Sequence, residues 1–466
     1  MEVDLDRSLD VLVVGGGVSG LTAAWRLHSS GYLVLLCHGS ERFGGAITTE
    51  QSDEFLCEGG PNSFQRTTNL DELIASLGIE DQRCDADARL PRYVWWEGRL
   101  RAIPFNVSQF LRSDLLSWGG KTRFMRELLV PRLDDVNREE TVSEFIYRRC
   151  GEEIHSRLFE PLISGIFAGD IGQLSASATL GRAVAAETNY GSILRSLWLS
   201  RERVRAGTTF CTFKEGMETL TNALGSSLGS RLWCERTLIS LERIQAGWRA
   251  VVSYRGDLIT IHARSVLLAT PAMAAAELLA PLDDALYRSL ASIYSPPIAV
   301  ISLGYQTTQI PQPLEGFGHL IPRGQGLRTL GSIWNCSLFP HRAPSGWRQF
   351  TTFIGGTTDT ASAGLSDQEL ITLAHQELQS VLGIQGTYRC LRVTRWQQGI
   401  PQYALGHLAK QKRVELRLER WPGLFLCGNY FGGISIGDCV NNALKQSSAI
   451  QAFLASPQIF LSAVAE

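Results

Sequence analysis

Paired cysteines, long apolar runs and a charge imbalance are all missing from this chain, and each absence closes off a class of protein. The ten cysteines (Cys37, Cys57, Cys84, Cys150, Cys211, Cys234, Cys336, Cys390, Cys427 and Cys439) include no CxxC pair, the spacing that structural zinc and cluster sites use. No metal is expected, and the thiols read as reduced. The most apolar stretch, residues 266–282, is interrupted by Glu277 and two prolines, short of the roughly 18 uninterrupted apolar residues of a spanning helix. Net charge is −2, from 44 basic against 46 acidic residues, which supplies no field for nucleic acid. Residues 1–6 are acidic and lack a basic, apolar or Arg-rich leader. No signal or transit peptide is visible, and a cytoplasmic location is expected.

What is present begins ten residues in. Asp10-Val11-Leu12-Val13-Val14-Gly15-Gly16-Gly17-Val18-Ser19-Gly20 sets a GxGxxG turn after a short apolar run and before a helical pattern through Leu21, Ala24 and Leu27; a second apolar run follows at residues 32–36. Strand, turn, helix and strand at this spacing make a dinucleotide cradle, in which Gly15 turns the chain, Gly17 admits a pyrophosphate and Gly20 lets helix meet strand. The fold's ribose-binding carboxylate, expected about 20 residues past the glycines, is absent. His38 stands there, offering one donor and one acceptor in place of two carboxylate oxygens. Glu41, slightly late, is the nearest substitute.

At 466 residues, with 45 glycines and 11 tryptophans, the chain should form two or three lobes of a loop-rich, pocketed enzyme. Nucleotide-domain character recurs in three separated regions: residues 10–63; residues 231–271, where 248–254 and 258–262 alternate like strands and 265–271 reads as a buried one; and residues 423–429, a buried strand before a glycine turn and a helix near 442–454. Between them lie two insertions. Residues 91–205 read as mainly helical, with a capping box at Thr141-Val142-Ser143-Glu144. Within them Phe105, Phe110, Leu111, Leu115, Leu116, Trp118, Phe124, Met125, Leu128 and Leu129 interleave with Arg112, Lys121, Arg123, Arg126 and Arg132. That pattern fits either a membrane-resting face or the core of a helical lobe. Residues 276–406 read as an antiparallel sheet, strands near 298–305 and 349–354, covered by a helix near 368–382.

Glycine-rich segments follow each nucleotide-domain unit. Arg42-Phe43-Gly44-Gly45-Ala46 extends the first cradle; Glu58-Gly59-Gly60-Pro61-Asn62-Ser63-Phe64-Gln65 comes next; Gly428-Asn429-Tyr430-Phe431-Gly432-Gly433-Ile434-Ser435-Ile436-Gly437-Asp438-Cys439 closes the set. So much backbone suits a buried flavin, and a helix N-terminus at the last segment can stabilise negative charge on it.

With these segments, Pro91-Arg92-Tyr93-Val94-Trp95, Glu160-Pro161, Gly165-Ile166-Phe167-Ala168-Gly169-Asp170, Phe213-Lys214-Glu215-Gly216-Met217, Gly316-Phe317-Gly318-His319-Leu320, Phe339-Pro340-His341-Arg342-Ala343-Pro344, Phe353-Ile354-Gly355-Gly356, Ile400-Pro401-Gln402-Tyr403 and Gly406-His407 make residues 11–454 resemble the flavin-dependent, oxygen-dependent protoporphyrinogen oxidase family, within the amine-oxidase-like flavoproteins. The resemblance implies an α/β fold. Its Rossmann-like FAD-binding domain would comprise residues 1–82, 206–275 and 409–466, the mixed antiparallel-sheet substrate domain 83–87, 186–205 and 276–408, and the helical, membrane-associated domain 88–185. It implies FAD at Gly15, Gly16, Gly17, Val18, Ser19, Gly20, His38, Gly39, Arg42, Gly45, Ala46, Gly60, Pro61, Asn62, Ser63, the backbone of Leu238, Trp396, Gly428, Asn429, Ile434, Ser435 and Ile436.

The implied reaction is six-electron oxidation of protoporphyrinogen IX to protoporphyrin IX in haem and chlorophyll biosynthesis, with three O2 reduced to hydrogen peroxide. Arg92 would pair with a propionate, Leu320 and Ile333 would pack on a pyrrole from one side with Phe353 stacking from the other, and Gly169 would meet the substrate edge through its backbone. A planar guanidinium fork suits a carboxylate, and no protein acid or base is needed where a flavin accepts hydride. Peripheral membrane contact and a homodimer are further implications. His38 departs from the family's usual glutamate, and Asn441-Asn442 from its acidic-glycine pair. Alternative readings are oxidation of the four-carboxylate coproporphyrinogen III, which would call for more basic groups; an amine oxidase or carotenoid desaturase, for which no matching lysine pattern appears; and a tetrapyrrole-binding flavoprotein without activity.

Overall fold

The computed structural model describes residues 8–133, 138–199 and 209–456. The acidic start at residues 1–6 and the expected boundary at 205/206 lie outside them.

The first sheet gathers the three separated segments. Strands Leu232–Trp233, Val34–Cys37 and Leu9–Val14 run parallel, followed by Asp257–Leu268, Gly247–Tyr254 and Thr237–Ile244, with Leu424–Leu426 also beside Asp257–Leu268. The two strands expected at 258–262 and 265–271 are one twelve-residue strand. Its first part pairs antiparallel with Gly247–Tyr254, and its last residues pair parallel with both Leu9–Val14 and Leu424–Leu426. All the parallel strands therefore end on one edge, where an open α/β sheet binds its ligand. Near-continuous Val and Leu at 11–14, 34–36 and 266–268 are buried because helices cover both faces. Helices Val18–Ser29 and Ile436–Ala455 pack side by side.

The second sheet has seven strands in the order Arg389–Trp396, Ile298–Gln306, Trp347–Gly355, Gly331–Trp334, Gly318–Leu320, Arg92–Trp96 and Arg99–Ala102. Helix Asp367–Leu382 covers one face through Leu370, Ala374 and Leu378. The sequence division assigned 88–185 to the helical lobe. Strands Arg92–Trp96 and Arg99–Ala102 belong instead to this sheet, because Arg92–Trp96 pairs parallel with Gly318–Leu320; such a long-range parallel pairing leaves no local turn signal.

The helical lobe has a core of its own. Leu116, Val142, Phe145, Ile146 and Ile163 form a core around a buried Arg149–Glu127 ion pair. Phe105, Leu111, Trp118, Met125, Leu128 and Leu129 stay exposed, Leu129 at 82% and Trp118 at 69%. Lys121 leaves the expected basic face: it is buried, its Nζ donating to the carbonyls of Leu111 (2.9 Å) and Ser113 (2.7 Å). Among the described residues no helix is long and apolar enough to cross a membrane.

Candidate flavin and substrate site

The glycine turn is built by close approach. A Cβ on Gly15 would lie 2.5 Å from the Ala269 carbonyl oxygen, and one on Gly20 would overlap the Gly15 carbonyl. At Gly17 a Cβ would meet only the Gly45 Cα, 4.0 Å away, so this side of the turn faces open space. Gly17 is also the N-cap of helix Val18–Ser29, which has no side-chain cap and no acid in its first turn. An uncapped helix start beside a backbone-lined gap fits a pyrophosphate.

The remaining cradle residues converge on it. Gly44 N–H donates to the Gly16 carbonyl (2.7 Å), which brings Gly45 and Ala46 across from the turn, and Gly60 packs against the Ala46 carbonyl. Gly39 lies against Thr237, next to buried Leu238. Ser19 contacts the thiols of Cys427 and Cys439, so the last glycine segment, from Gly428 onward, adjoins the first.

Several residues assigned to cofactor have their polar atoms committed to protein. The His38 ring accepts the Gly16 N–H at Nδ1 (3.2 Å) and donates from Nε2 to the Arg42 carbonyl (2.9 Å). Burial holds its pKa below the ordinary value, consistent with a neutral ring. A diol therefore finds neither nitrogen free, and exposed Glu41 is not in the cradle's hydrogen-bond network. Arg42 spends its guanidinium on the carbonyls of Phe43, Gly45 and Ile47 and on Glu218, bracing the Gly44-Gly45 turn. Asn62 donates to the Gly60 carbonyl (3.2 Å) and accepts from Asn335 (2.8 Å), while Pro61 and Ser63 flank it half-buried. Trp396 Nε1 donates to the Gly59 carbonyl (2.7 Å). Ser435 and Asp438 form a reciprocal capping box on helix Ile436–Ala455. Asn442, at a position that departs from the family pattern, donates to the Phe431 carbonyl (2.8 Å) and so holds the preceding turn.

On the substrate sheet, Gly318 pairs with both Arg92 and Ile333, and Gly331 pairs with both Leu320 and Phe353. Paired residues share a face. Arg92, Leu320, Ile333 and Phe353 therefore form one half-buried wall over four adjacent strands, with Gly331 between Leu320 and Phe353. Helix Glu160–Phe167 approaches Leu320 through Gly165. Gly169, just beyond that helix, is buried, and its carbonyl accepts from Arg323 (3.3 Å).

Arg92 is the unusual charge. Its Cζ sits 5.1, 5.0 and 5.2 Å from the ring centroids of Phe105, Phe210 and Phe317, and burial lowers its pKa from the ordinary value. Among the described residues it has no carboxylate partner. Arg323, beyond strand Gly318–Leu320, by contrast engages Glu160 (3.2 Å) and Asp170 (3.4 Å). The cage was not legible in the motifs, because its rings arrive from three distant segments. Phe353, Trp396 and Ile400 share one apolar cluster, and Ile400 and Ile434 share the next, so the substrate wall and the flavin segments are continuous.

Sequence comparison agrees with this geometry. The chain is 33% identical to the Arabidopsis thaliana protein named protoporphyrinogen oxidase 1, chloroplastic, over 96% of this chain and 88% of the relative. It is 28% identical to coproporphyrinogen III oxidase of Bacillus subtilis, over 97% and 100%. A crystal structure from Exiguobacterium sp. 255-15 superposes with a TM-score of 0.82 at 26% identity, covering 96% of this chain and 99% of that one. Residues 18–451 match the flavin containing amine oxidoreductases, and the chain belongs to that family.

Proposed function

We propose that this oxidoreductase converts protoporphyrinogen IX to protoporphyrin IX with molecular oxygen as acceptor, releasing three H2O2 for three O2 consumed. FAD, the cofactor its family implies, would be held by the turn from Gly15 to Gly20, by Gly45, Ala46 and Gly60, and by the segment from Gly428 to Ile436; bound there it supplies a hydride acceptor. The chain's own residues orient and desolvate. Leu320, Ile333 and Phe353 offer a flat apolar wall, and Arg92 a single fixed cation.

The unpaired Arg92 in its three-ring cage carries this reading. A half-buried guanidinium without a carboxylate is free to pair with one brought by the ligand, and the rings return part of its lost hydration. One such cation on an otherwise apolar wall favours the dicarboxylate over coproporphyrinogen III, whose four carboxylates would leave charges unmatched. The decisive experiment follows porphyrin fluorescence and peroxide together, aerobically, on both porphyrinogens. Faster turnover of protoporphyrinogen IX is expected; a clear preference for coproporphyrinogen III would assign the chain to the other activity.

The exposed apolar residues around Trp118 and Leu129, with Arg112 and Arg126 nearby in sequence, support a peripheral membrane contact of the helical lobe.

A further inference from the structure

Two adjacent residues have no part in the reading above, yet each ties down a different wall of the site. Gln402 is buried, and its Nε2 donates to the carbonyls of Phe167 (2.8 Å) and Ile400 (2.9 Å). Phe167 ends helix Glu160–Phe167; Ala168 follows with φ 49°, a left-handed conformation costly for a residue with a Cβ. A Cβ on Gly169 would run into Gln402 Oε1, so the amide fills the space over that glycine.

Tyr403 faces the opposite way. Its hydroxyl donates to the Asn429 carbonyl (2.7 Å) and accepts the Gly433 N–H (3.0 Å), closing both ends of the 429–433 turn with one oxygen. The His407 ring stacks on it, centroids 4.1 Å apart and planes at 16°, and the Phe167 ring meets its edge at 5.9 Å. Packed between them, the tyrosine is buried and has one available pose. Burial also pushes its phenol pKa up, so it remains a proton donor across the working range.

We propose that Gln402 and Tyr403 are paired positioning residues, Gln402 holding the substrate-edge turn and the Tyr403 hydroxyl holding the turn on which the flavin rests, so that one dipeptide sets the spacing between the two. The proposal rests on the flavin reading of the 429–436 segment. It separates the two residues kinetically, because one acts on the cofactor's seat and the other on the substrate's.

The test uses the FAD-loaded full chain and protoporphyrinogen IX. Y403F should shift the flavin absorption bands and midpoint potential and lower kcat about tenfold, the worth of one net hydrogen bond, with KM changed less than about twofold. Q402M should raise KM by about the same tenfold factor and leave the flavin spectrum at its parental position. Fluorotyrosine placed at 403 keeps the hydroxyl while making it more acidic; it covers the case in which Y403F fails to retain FAD, and its flavin bands should also move. Parental spectra and potentials in both 403 variants, or identical kinetic effects of Y403F and Q402M, overturn the proposal alone. Parent protein that holds no flavin overturns the reading of the site and the proposal with it.

Discussion

Replacing Arg342 by methionine should loosen the joint between the cradle and the substrate sheet. Arg342 Nη1 lies 2.5 Å from Glu58 Oε1, its Nη2 donates to Thr212, and both charged side chains are 1% exposed. Glu58 also accepts from the Met217 N–H (2.9 Å) and the Thr49 hydroxyl (2.7 Å). Removing one partner of a buried pair costs about 3–5 kcal/mol because a charge is stranded. Since Glu58 keeps two other donors, the expected cost is about 3 kcal/mol. Removing both charges strands neither, so E58Q/R342M should recover about 2 kcal/mol relative to R342M. Urea unfolding followed by the eleven tryptophans measures the loss, and flavin fluorescence in the same titration should show FAD leaving R342M before the chain unfolds. The reasoning is refuted if R342M lies within about 1 kcal/mol of the parent, or if the double variant is no more stable than R342M.

His38→Glu retains an acceptor for the Gly16 N–H and frees a second oxygen for the ribose diol, so FAD retention on dialysis should improve; equal or weaker retention counts against it. Arg92→Ala should raise KM for protoporphyrinogen IX about tenfold or more with the flavin spectrum intact, since a charge-assisted pair is lost; an unchanged KM would make Arg92 a packing residue. His319 is buried, accepts from Trp334 Nε1 (3.2 Å), and burial pulls its pKa down to about 3. The unfolded chain takes that proton near pH 6.5 and the folded chain only near 3, so stability falls as pH drops through this window, by up to about 1.4 kcal/mol per pH unit. H319Q should flatten that acid limb in a urea series at pH 4 to 7, and an unaltered limb would show that His319 does not drive it. Serine at Trp118 and Leu129 together should lower sedimentation with anionic vesicles severalfold without changing soluble turnover; undiminished sedimentation would remove that face from membrane contact.

Much of the cradle was legible because its signals are local. Three glycines between a strand and a helix must turn, uncover backbone amides and permit close packing whatever lies elsewhere, and Thr141 with Glu144 caps its helix from four residues alone. The mixed sheet was legible in its long strands and covering helix. Its edge was not: strand Arg92–Trp96 belongs there only through pairing with residues more than 200 positions later. Lys121 illustrates the same limit, since a lysine among exposed apolar residues gives no hint that it turns inward to end-cap a helix.

By itself the sequence determined that a dinucleotide cradle exists, that its extra glycine segments call for a flavin, and that the ribose position carries an imidazole. Only the tertiary structure decided that this imidazole is already bonded to Gly16 and Arg42, that Arg92 stands unpaired among three rings, and that Phe353 shares a wall with Leu320. The division has a physical cause. Turns and caps depend on backbone conformation within a few residues, whereas the solvation and partners of a side chain depend on what the fold brings against it from afar.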